Sequence, residues 1–384
     1  MNQPTQVLGR SATLANFRTA FMTLVFGFSA VAFLQGVAMA EVPGLSPGPV
    51  EIQSIGPMAF ADRGVLLVGD PKAATIFAID VKDGLPGGHS NASSDFQAID
   101  DIRAAVADAL HSDSATLGDL VTDPQNGHVI LSAESKGTVH LLSVNADGTL
   151  TRINLDKISH AKKDLPHPPE DRVVGQGRRK RNRRMESITD LAFFDGRVLV
   201  SGLSATESPS SVREFSFPFA ENTIVTNVEI YHAAHGRVEE PAIRTFLPMT
   251  IAGQPTLLAG FTCTPLVRFP IGEMKGDKTV RGTTVAELGN WNKPLDLISY
   301  TKDGREHLLM SNTARGLMKI STENIESAPG LEDKVSGGGT AGQPFEKVEG
   351  LDGVVQMDKL NDSQAVVIMG SPDQVQSLAV IDLP

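Results

Sequence analysis

The stretch "ESITDLAFFDGRVLVSGLS", residues 186–204, decides the fold. It contains two short apolar runs, "LAFF" and "VLVSGL", which are joined by the polar turn "DGR". Short runs of aliphatic, aromatic and β-branched residues separated by Asp-Gly are typical of a β-hairpin. A stretch of nearly the same pattern, "SIGPMAFADRGVLLVGD", begins at residue 54. The sequence therefore repeats one small unit of β-structure.

Further copies of this unit occur along the chain. They begin with "IGPMAF" at 55, "LGDLVTD" at 117, "ITDLAFF" at 188, "IRTFLPM" at 243, "PLDLISY" at 294 and "GLDGVVQM" at 350. The spacing runs from 51 residues (245 to 296) to 71 residues (119 to 190). A small antiparallel sheet repeated at such a period is the signature of a β-propeller. We expect an all-β fold with six blades, and the irregular stretches 83–115 and 220–240 leave a seventh blade open.

The repeats also carry a family resemblance. The segments "LLVGD…ATIFAIDV" and "VILSAESKGTVHLLSVNADG" resemble repeats of the YVTN and quinoprotein-amine-dehydrogenase-like β-propellers, over nearly all of the chain after residue 40. The stretches "TCTPLVRFP" and "GTTVAELGN" are similar to those of uncharacterised exported bacterial propellers. The resemblance implies a fold and no particular activity, because that superfamily includes enzymes, cofactor binders and scaffolds.

The first forty residues have the parts of a signal peptide. Arg10 and Arg18 precede the apolar run 21–34, and Ala38 and Ala40 supply the small residues of a cleavage site. An uncleaved membrane anchor is the alternative, because the run is close to spanning length. We expect residues 1–40 to be removed and residues 41–384 to form one propeller domain, periplasmic or secreted. The net charge of −11 disfavours nucleic acid as a partner, and no later run is long enough to span a membrane.

Two segments depart from the repeat. Residues 95–110 place Ile99, Ile102, Val106 and Leu110 on one helical face after Ser94 or Asp95, which predicts a short inserted helix within the first blade or between the first two. Residues 156–186 are polar and basic and predict a long loop that ends in "GRRKRNRRMES". The counterpart of this basic run would be an anionic polysaccharide, a phospholipid surface or an acidic protein, or the run is a solvated loop without a partner.

The third position of each copy lies where the inner strand of a blade begins. It is occupied by Pro57, Asp119, Asp190, Thr245, Asp296 and Asp352. Four aspartates at one end of the channel could form a carboxylate ring for a sugar, a cationic ligand or a divalent cation such as Ca²⁺, with Asp119, Asp190 and Asp296 as the metal ligands. Alternatively, each aspartate only accepts hydrogen bonds from backbone amides.

Basic residues recur in the turns that follow the second strands. Lys72, Lys136 and Arg315 occupy these turns, and Cys263 has the equivalent place in the fourth copy. These turns share a face of the propeller with the aspartates, so the basic side chains could bind the anionic group of a ligand. The alternative is an ordinary solvated rim.

Two classes of function stay open. The chain contains no C-x-x-C-H, G-x-S-x-G or P-loop motif, and its single tryptophan and single cysteine argue against a quinone cofactor by resemblance. We expect an exported binding or scaffold protein for a small molecule, a polysaccharide or a protein. The rival is a metal-dependent hydrolase or lactonase-like enzyme that uses one aspartate as its base. The sequence does not identify the ligand.

Overall fold

The computed structural model describes residues 42–84, 96–177, 180–263, 265–336 and 339–384. The segment on which the signal-peptide prediction rests lies outside the described residues, as do Arg178 and Arg179 of the basic run. Within these ranges, no helix has the length and apolar character needed to cross a bilayer.

The described residues form one α-helix and a long series of strands. In chain order these are β1 (Ser46–Gly48), β2 (Met58–Ala61), β3 (Val65–Asp70), β4 (Thr75–Asp80), α1 (Ile102–Ala109), β5 (Thr116–Thr122), β6 (Val129–Ser135), β7 (Thr138–Val144), β8 (Leu150–Arg152), β9 (Ile158–Asp164), β10 (Val173–Val174), β11 (Arg181–Asn182), β12 (Asp190–Phe194), β13 (Arg197–Leu203), β14 (Ser210–Ser216), β15 (Ile224–His232), β16 (Gly236–Val238), β17 (Ile243–Ile251), β18 (Gln254–Phe261), β19 (Pro265–Pro270), β20 (Val280–Arg281), β21 (Thr283–Leu288), β22 (Pro294–Lys302), β23 (Arg305–Asn312), β24 (Gly316–Ser321), β25 (Thr340–Gly342), β26 (Phe345–Lys347), β27 (Val354–Lys359), β28 (Gln364–Met369) and β29 (Ser377–Asp382).

Six antiparallel sheets form the blades of a β-propeller, which confirms the predicted fold class. From outer to inner strand, blade 1 is β1-β9-β4-β3-β2, blade 2 is β8-β7-β6-β5, blade 3 is β16-β15-β14-β13-β12, blade 4 is β25-β21-β19-β18-β17, blade 5 is β26-β24-β23-β22 and blade 6 is β29-β28-β27. A separate pair of strands, β10-β11, lies within residues 156–186, which we call the basic segment.

The blades do not follow each other around the ring in chain order. The inner strands contact one another in the order β2, β12, β17, β22, β27, β5 and back to β2. Blade 2 therefore lies between blades 1 and 6. The chain leaves blade 1 after β4, builds blade 2, and returns through β9 to complete the outer edge of blade 1.

Six hydrophobic clusters of the described residues fill the six seams between neighbouring blades. Leu66 and Ile130, for example, belong to the cluster between blades 1 and 2, and Leu199 and Leu257 to the cluster between blades 3 and 4. Second strands such as β3, with sequence "VLLVGD", are buried at every residue. A strand that packs against blades on both of its faces is a continuous apolar run rather than an alternating one.

The inserted helix lies between β4 of blade 1 and β5 of blade 2, as predicted, and is shorter than the predicted range 95–110. It spans Ile102–Ala109, and Asp101 is its N-cap, with Oδ1 accepting a hydrogen bond from Ala104 N at 3.0 Å. Ile102 and Val106 pack into the seam between blades 2 and 6, so the helix fills the outer edge of that seam. Just before it, Ile99 pairs with Leu378 and extends blade 6 at its outer edge.

The segment that was expected to be a long loop, 156–186, begins with a strand. β9 pairs with β4 and completes blade 1. Its mostly polar sequence, "ISHAKKD", suits a strand on the outer side of a blade, where few side chains are buried. The rest of the segment crosses the face of the propeller at which the inner strands begin. We call this the upper face; antiparallel pairing also brings the turns after the second strands to it.

Candidate functional site

Four aspartates line the central channel, and we call them the channel aspartates. They are Asp119 on β5, Asp190 on β12, Asp296 on β22 and Asp358 on β27. The channel opens into a cavity of about 600 Å³ that residues of all six inner strands surround. The sequence predicted three of these aspartates, and Asp358 was not among the candidates.

Each channel aspartate accepts a hydrogen bond from the backbone of the next blade. The four pairs are Asp119 Oδ2 with Met58 N (2.6 Å), Asp190 Oδ2 with Phe246 N (2.6 Å), Asp296 Oδ2 with Met357 N (2.8 Å) and Asp358 Oδ2 with Thr122 N (2.7 Å). All four bonds run in the same direction around the ring. Among the described residues, the two remaining seams lack such a bond, because blades 1 and 4 have Pro57 and Thr245 where an aspartate would stand.

The second oxygen of each carboxylate is also engaged. In every case Oδ1 accepts from the N–H of the following residue, at 2.9 Å for Asp119 and 2.7 Å for Asp358. The backbone-capping interpretation of the aspartates therefore describes their contacts. Carboxylate oxygens have more than one lone-pair site, so these bonds do not exclude a ligand.

A glutamine bridges two of the carboxylates across the channel. With its nitrogen turned toward them, the side-chain amide of Gln356 donates to Asp119 Oδ1 at 2.8 Å and to Asp296 Oδ2 at 3.2 Å. Gln356 immediately precedes Met357, the partner of Asp296, just as Thr245 precedes Phe246. It is therefore the third-position residue of the sixth copy, the position that the sequence had given to Asp352.

The channel shifts the ionisation of its carboxyl groups. Burial raises the pKa of Asp119 to about 8, that of Asp190 to about 7 and that of Asp358 to about 6, and it raises the pKa of Asp296 well above its usual range. Repulsion between neighbouring aspartates adds to the effect on Asp119 and Asp296, and hydrogen bonds from backbone amides oppose it. The pKa values of these groups therefore lie above the ordinary value of an aspartate.

The other candidates lie outside the cavity. Lys72 and Lys136 are exposed on turns of the upper face, and Asp352 is exposed and paired with Lys347 at 2.8 Å. The guanidinium of Arg315 packs against Gly289, where an added Cβ would lie 2.3 Å from Cζ. The structure thus brings the channel aspartates together and leaves these four side chains apart from them.

Sequence reasoning missed two basic residues that do line the cavity, Arg244 and Lys359. Arg244 is bonded to Glu186 (3.1 Å) and to Thr262 Oγ1 (3.2 Å), so its charge is already partnered. The hydroxyl of Thr122, another residue that lines the cavity, is buried and has no hydrogen-bond partner among the described residues. In the same part of the chain, no group of three or more His, Cys, Asp or Glu side chains has an arrangement suited to a metal ion.

A second titratable cluster lies between the outer strands of blades 3 and 4. His232 and His235, noted for their spacing, have ring centroids 4.9 Å apart. Glu287 lies 3.8 Å from His232 and accepts from Ala233 N at 2.7 Å, and burial raises its pKa to about 7. Its buried contacts are those of a packed seam rather than of an open site.

Comparisons with known proteins assign the chain to no family. No family model matches the chain, and no curated protein matches it either. Among solved structures, similar ones include a mitotic checkpoint complex (9% identity, 94% of this chain and 99% of that chain, TM-score 0.35). A Bacteroides uniformis protein assigned provisionally as a 6-phosphogluconolactonase has 10% identity over 88% of this chain and 79% of its own, with a TM-score of 0.34. The β-propeller domain of Myceliophteria thermophila Cps50 (Swd1) has 10% identity over 88% and 90%, with a TM-score of 0.33.

At these identities and scores the likeness concerns propeller architecture alone. It carries no information on a ligand or a reaction. The strand topology makes this chain a six-bladed β-propeller with a carboxylate-lined channel.

Proposed function

We propose that this protein is a binding protein whose channel aspartates hold the positively charged group of a small ligand. The observation that carries the proposal is the convergence of four carboxyl groups on one cavity, where burial and mutual repulsion disfavour their ionised forms. A cation placed among them would favour ionisation and would therefore bind most tightly where the carboxylates are deprotonated.

Catalysis is the weaker alternative for this site. A metal-dependent hydrolase needs a carboxylate that is free to take a proton from water. Each channel aspartate instead has both oxygens on backbone N–H groups, which supports a fixed acceptor array rather than a general base. A divalent cation such as Ca²⁺, held by Asp119, Asp190 and Asp296, remains part of the proposal as one of the possible cations.

We also propose that the protein is exported and that it is related to the YVTN-type propellers. The basic, apolar and small-residue pattern of residues 1–40 supports export. The sequence of the repeats supports the relationship.

Thermal unfolding with defined cations tests the binding proposal. Calcium chloride, magnesium chloride and a linear diamine are added separately at pH 8, and the melting temperature is measured. A ligand that binds only the folded state raises this temperature, and the shift grows with the ratio of ligand concentration to Kd. We expect at least one of these cations to stabilise the protein, and we expect Asp119→Asn to reduce that shift.

Asp352→Asn is the matched control, because Asp352 is an exposed aspartate outside the cavity. It should keep the full cation-dependent shift. Equal shifts in both variants, or no shift with any of the three cations, would remove the channel aspartates as a ligand site. Hydrolysis of an ester or lactone that appears only with the bound metal would favour the enzyme instead.

A further inference from the structure

Trp291, the single tryptophan of the chain, is 91% exposed and lies in the loop that joins β21 to β22. The loop belongs to the upper face, where β22 begins. Of the five large apolar side chains exposed among the described residues, four lie in segments of this face: Val173, Met185, Trp291 and Val375. Single exposed apolar side chains are common, but their concentration on one face points to an interaction surface.

The loop that carries Trp291 is firmly held. Asn292 is 2% exposed; its side-chain nitrogen donates to Asn312 Oδ1 at 3.1 Å, and its Oδ1 accepts from Ala314 N at 3.0 Å. Its backbone carbonyl accepts from Cys263 N at 2.7 Å. These contacts attach the loop to turns of blades 4 and 5.

The backbone of Trp291 itself is unusual. Its φ is +60°, a left-handed conformation that bulky side chains rarely adopt. Such a conformation persists where the surrounding contacts impose it. The indole thus projects into water from a fixed backbone, so that a partner packing on it would have to order the side chain and not the loop.

The charged groups around the loop are of both signs. Lys293 is exposed beside Trp291, and Arg315 packs on Gly289 of the same loop. Lys347 is paired with Asp352 next to Gly316, and the acidic Glu287 is buried under the loop with its oxygen on Ala233 N. Glu349 also lies near Lys347. Lys293 and Arg315 are in no ion pair among the described residues, so they are the positive charges of this loop that a docking partner would meet.

We propose that Trp291, Lys293 and Arg315 form a docking site for an acidic protein segment that carries an apolar or aromatic side chain. The apolar side chain packs on the indole, and the carboxylates of the segment pair with Lys293 and Arg315. Tryptophan and arginine are the residues that most often dominate binding energy at interfaces. Complementary charge selects the partner and speeds its association. This site lies outside the channel cavity and is independent of the cation proposal.

A random peptide library displayed on phage tests the docking site. It is panned against the purified chain after depletion on the Trp291→Ala variant. We expect the enriched peptides to carry Asp or Glu next to apolar residues. A synthetic enriched peptide should shift the fluorescence of Trp291 to shorter wavelength, and this signal reports on the docking site alone because the chain has no other tryptophan.

Variants then locate the contact. With a fluorescein-labelled peptide, Trp291→Ala and Arg315→Glu should each weaken binding about tenfold or more. The matched control is Arg305→Glu, which reverses an exposed charge at the opposite end of β23 and should leave the affinity unchanged. All variants are first required to have the melting temperature of the unaltered protein.

Three results would overturn the docking site. One is the absence of peptides that prefer the unaltered chain to Trp291→Ala, and another is the enrichment of basic peptides. The third is a fluorescence shift caused by phosphatidylglycerol vesicles or by a sulfated polysaccharide that the acidic peptides do not reverse. That third result would identify a membrane or a polysaccharide as the occupant.

Discussion

Asp190 in blade 3 accepts a hydrogen bond from the backbone N–H of Phe246 in blade 4, at 2.6 Å. The same carboxylate accepts from its own neighbour Leu191 at 2.8 Å. One side chain therefore fixes the start of its own inner strand and connects it to the next blade. The arrangement recurs at Asp119 and Asp296, and Asp358 makes the same two kinds of bond near the end of β27. The channel aspartates therefore have a structural role in addition to the proposed ligand role.

Replacement of this side chain should destabilise the propeller. Asp190→Ala leaves two backbone donors without their acceptor, and each unsatisfied buried donor costs about 1–3 kcal/mol. We expect the free energy of unfolding in urea to fall by about 2 kcal/mol or more. Asp352→Ala, which removes only an exposed ion pair, should change it by about 1 kcal/mol or less. Equal losses in the two variants would show that the bond between blades contributes nothing.

Stability should fall as the pH rises toward 8. Folding raises the pKa of Asp119 to about 8 and that of Asp190 to about 7, whereas the unfolded chain loses these protons near pH 4. Between these values the folded state binds more protons than the unfolded state, so the unfolding free energy decreases with rising pH. Glu287, with its pKa raised to about 7, contributes in the same direction.

Melting temperatures at about pH 5.5 and about pH 8.5 measure this effect, because these two conditions lie below and above the raised pKa values of Asp119 and Asp190. We expect the lower temperature at the higher pH, and a smaller difference in Asp119→Asn and in Glu287→Gln. A melting temperature that rises over the same window would mean that the channel carboxyl groups are ionised in the folded protein at little cost.

Gln356 should be sensitive to charge. Its amide lies 2.8 Å from one oxygen of Asp119 and 3.2 Å from one oxygen of Asp296. Gln356→Glu would place a third carboxyl group between these two, and like charges at that distance repel strongly in a buried site. Gln356→Leu removes the same donors without adding charge. We expect the glutamate variant to melt below the leucine variant at pH 8.5, and we expect the gap to close at pH 5.5.

A buried arginine, Arg213, should hold the basic segment in place on the upper face. Arg213 is fully buried on β14, and its guanidinium donates to the carbonyls of Ser187 at 3.2 Å and Leu203 at 2.9 Å. Burial lowers its pKa to about 10, so it stays charged at neutral pH. Hydrogen bonds from a charged donor contribute about 1.5–3 kcal/mol each. We expect Arg213→Met to lower the free energy of unfolding by about 3 kcal/mol or more.

Limited proteolysis gives a second measure of the same change. Loss of the bond to Ser187 should speed cleavage within residues 165–187, the segment that leads into blade 3. Arg197→Met is the control, since Arg197 lies in the same blade and pairs with Glu214 at 2.9 Å away from this segment. If both variants are cleaved at the same rate, Arg213 does not anchor the segment.

The repeat predicted the six blades because the second strand of each blade contains a continuous apolar run, as in "VLLVGD" and "LLMSN". The order of the blades could not be predicted. The order depends on which faces pack together in the seams. In the sequence, only the late return of β9 indicates that the chain builds blade 2 before it completes blade 1. The polar outer strand β9 was predicted to be part of a loop, because an outer strand buries too few side chains to show a strong hydrophobic pattern.

The channel site was predicted in part. Asp119, Asp190 and Asp296 occupy one repeated position, and each is followed by leucine. In the sixth copy Asp352, which lies between Leu351 and Gly353, resembles that position in sequence, whereas the structural equivalent is Gln356, four residues later. Asp358 has no counterpart in the other copies, and its contribution follows only from the pairing of β27 with its neighbours.

Calorimetric titration of the purified chain with calcium chloride and with the diamine tests the cation site most directly, at a pH of about 7.5, just below the raised pKa of Asp119. The titration is repeated in two buffers that differ in heat of ionisation, because a cation that ionises the channel carboxyl groups must release protons. We expect binding with proton release, and we expect both to be weakened in Asp119→Asn and unchanged in Asp352→Asn. Absence of binding by either cation, or binding without proton release that Asp119→Asn leaves intact, would contradict a cation site among the channel aspartates.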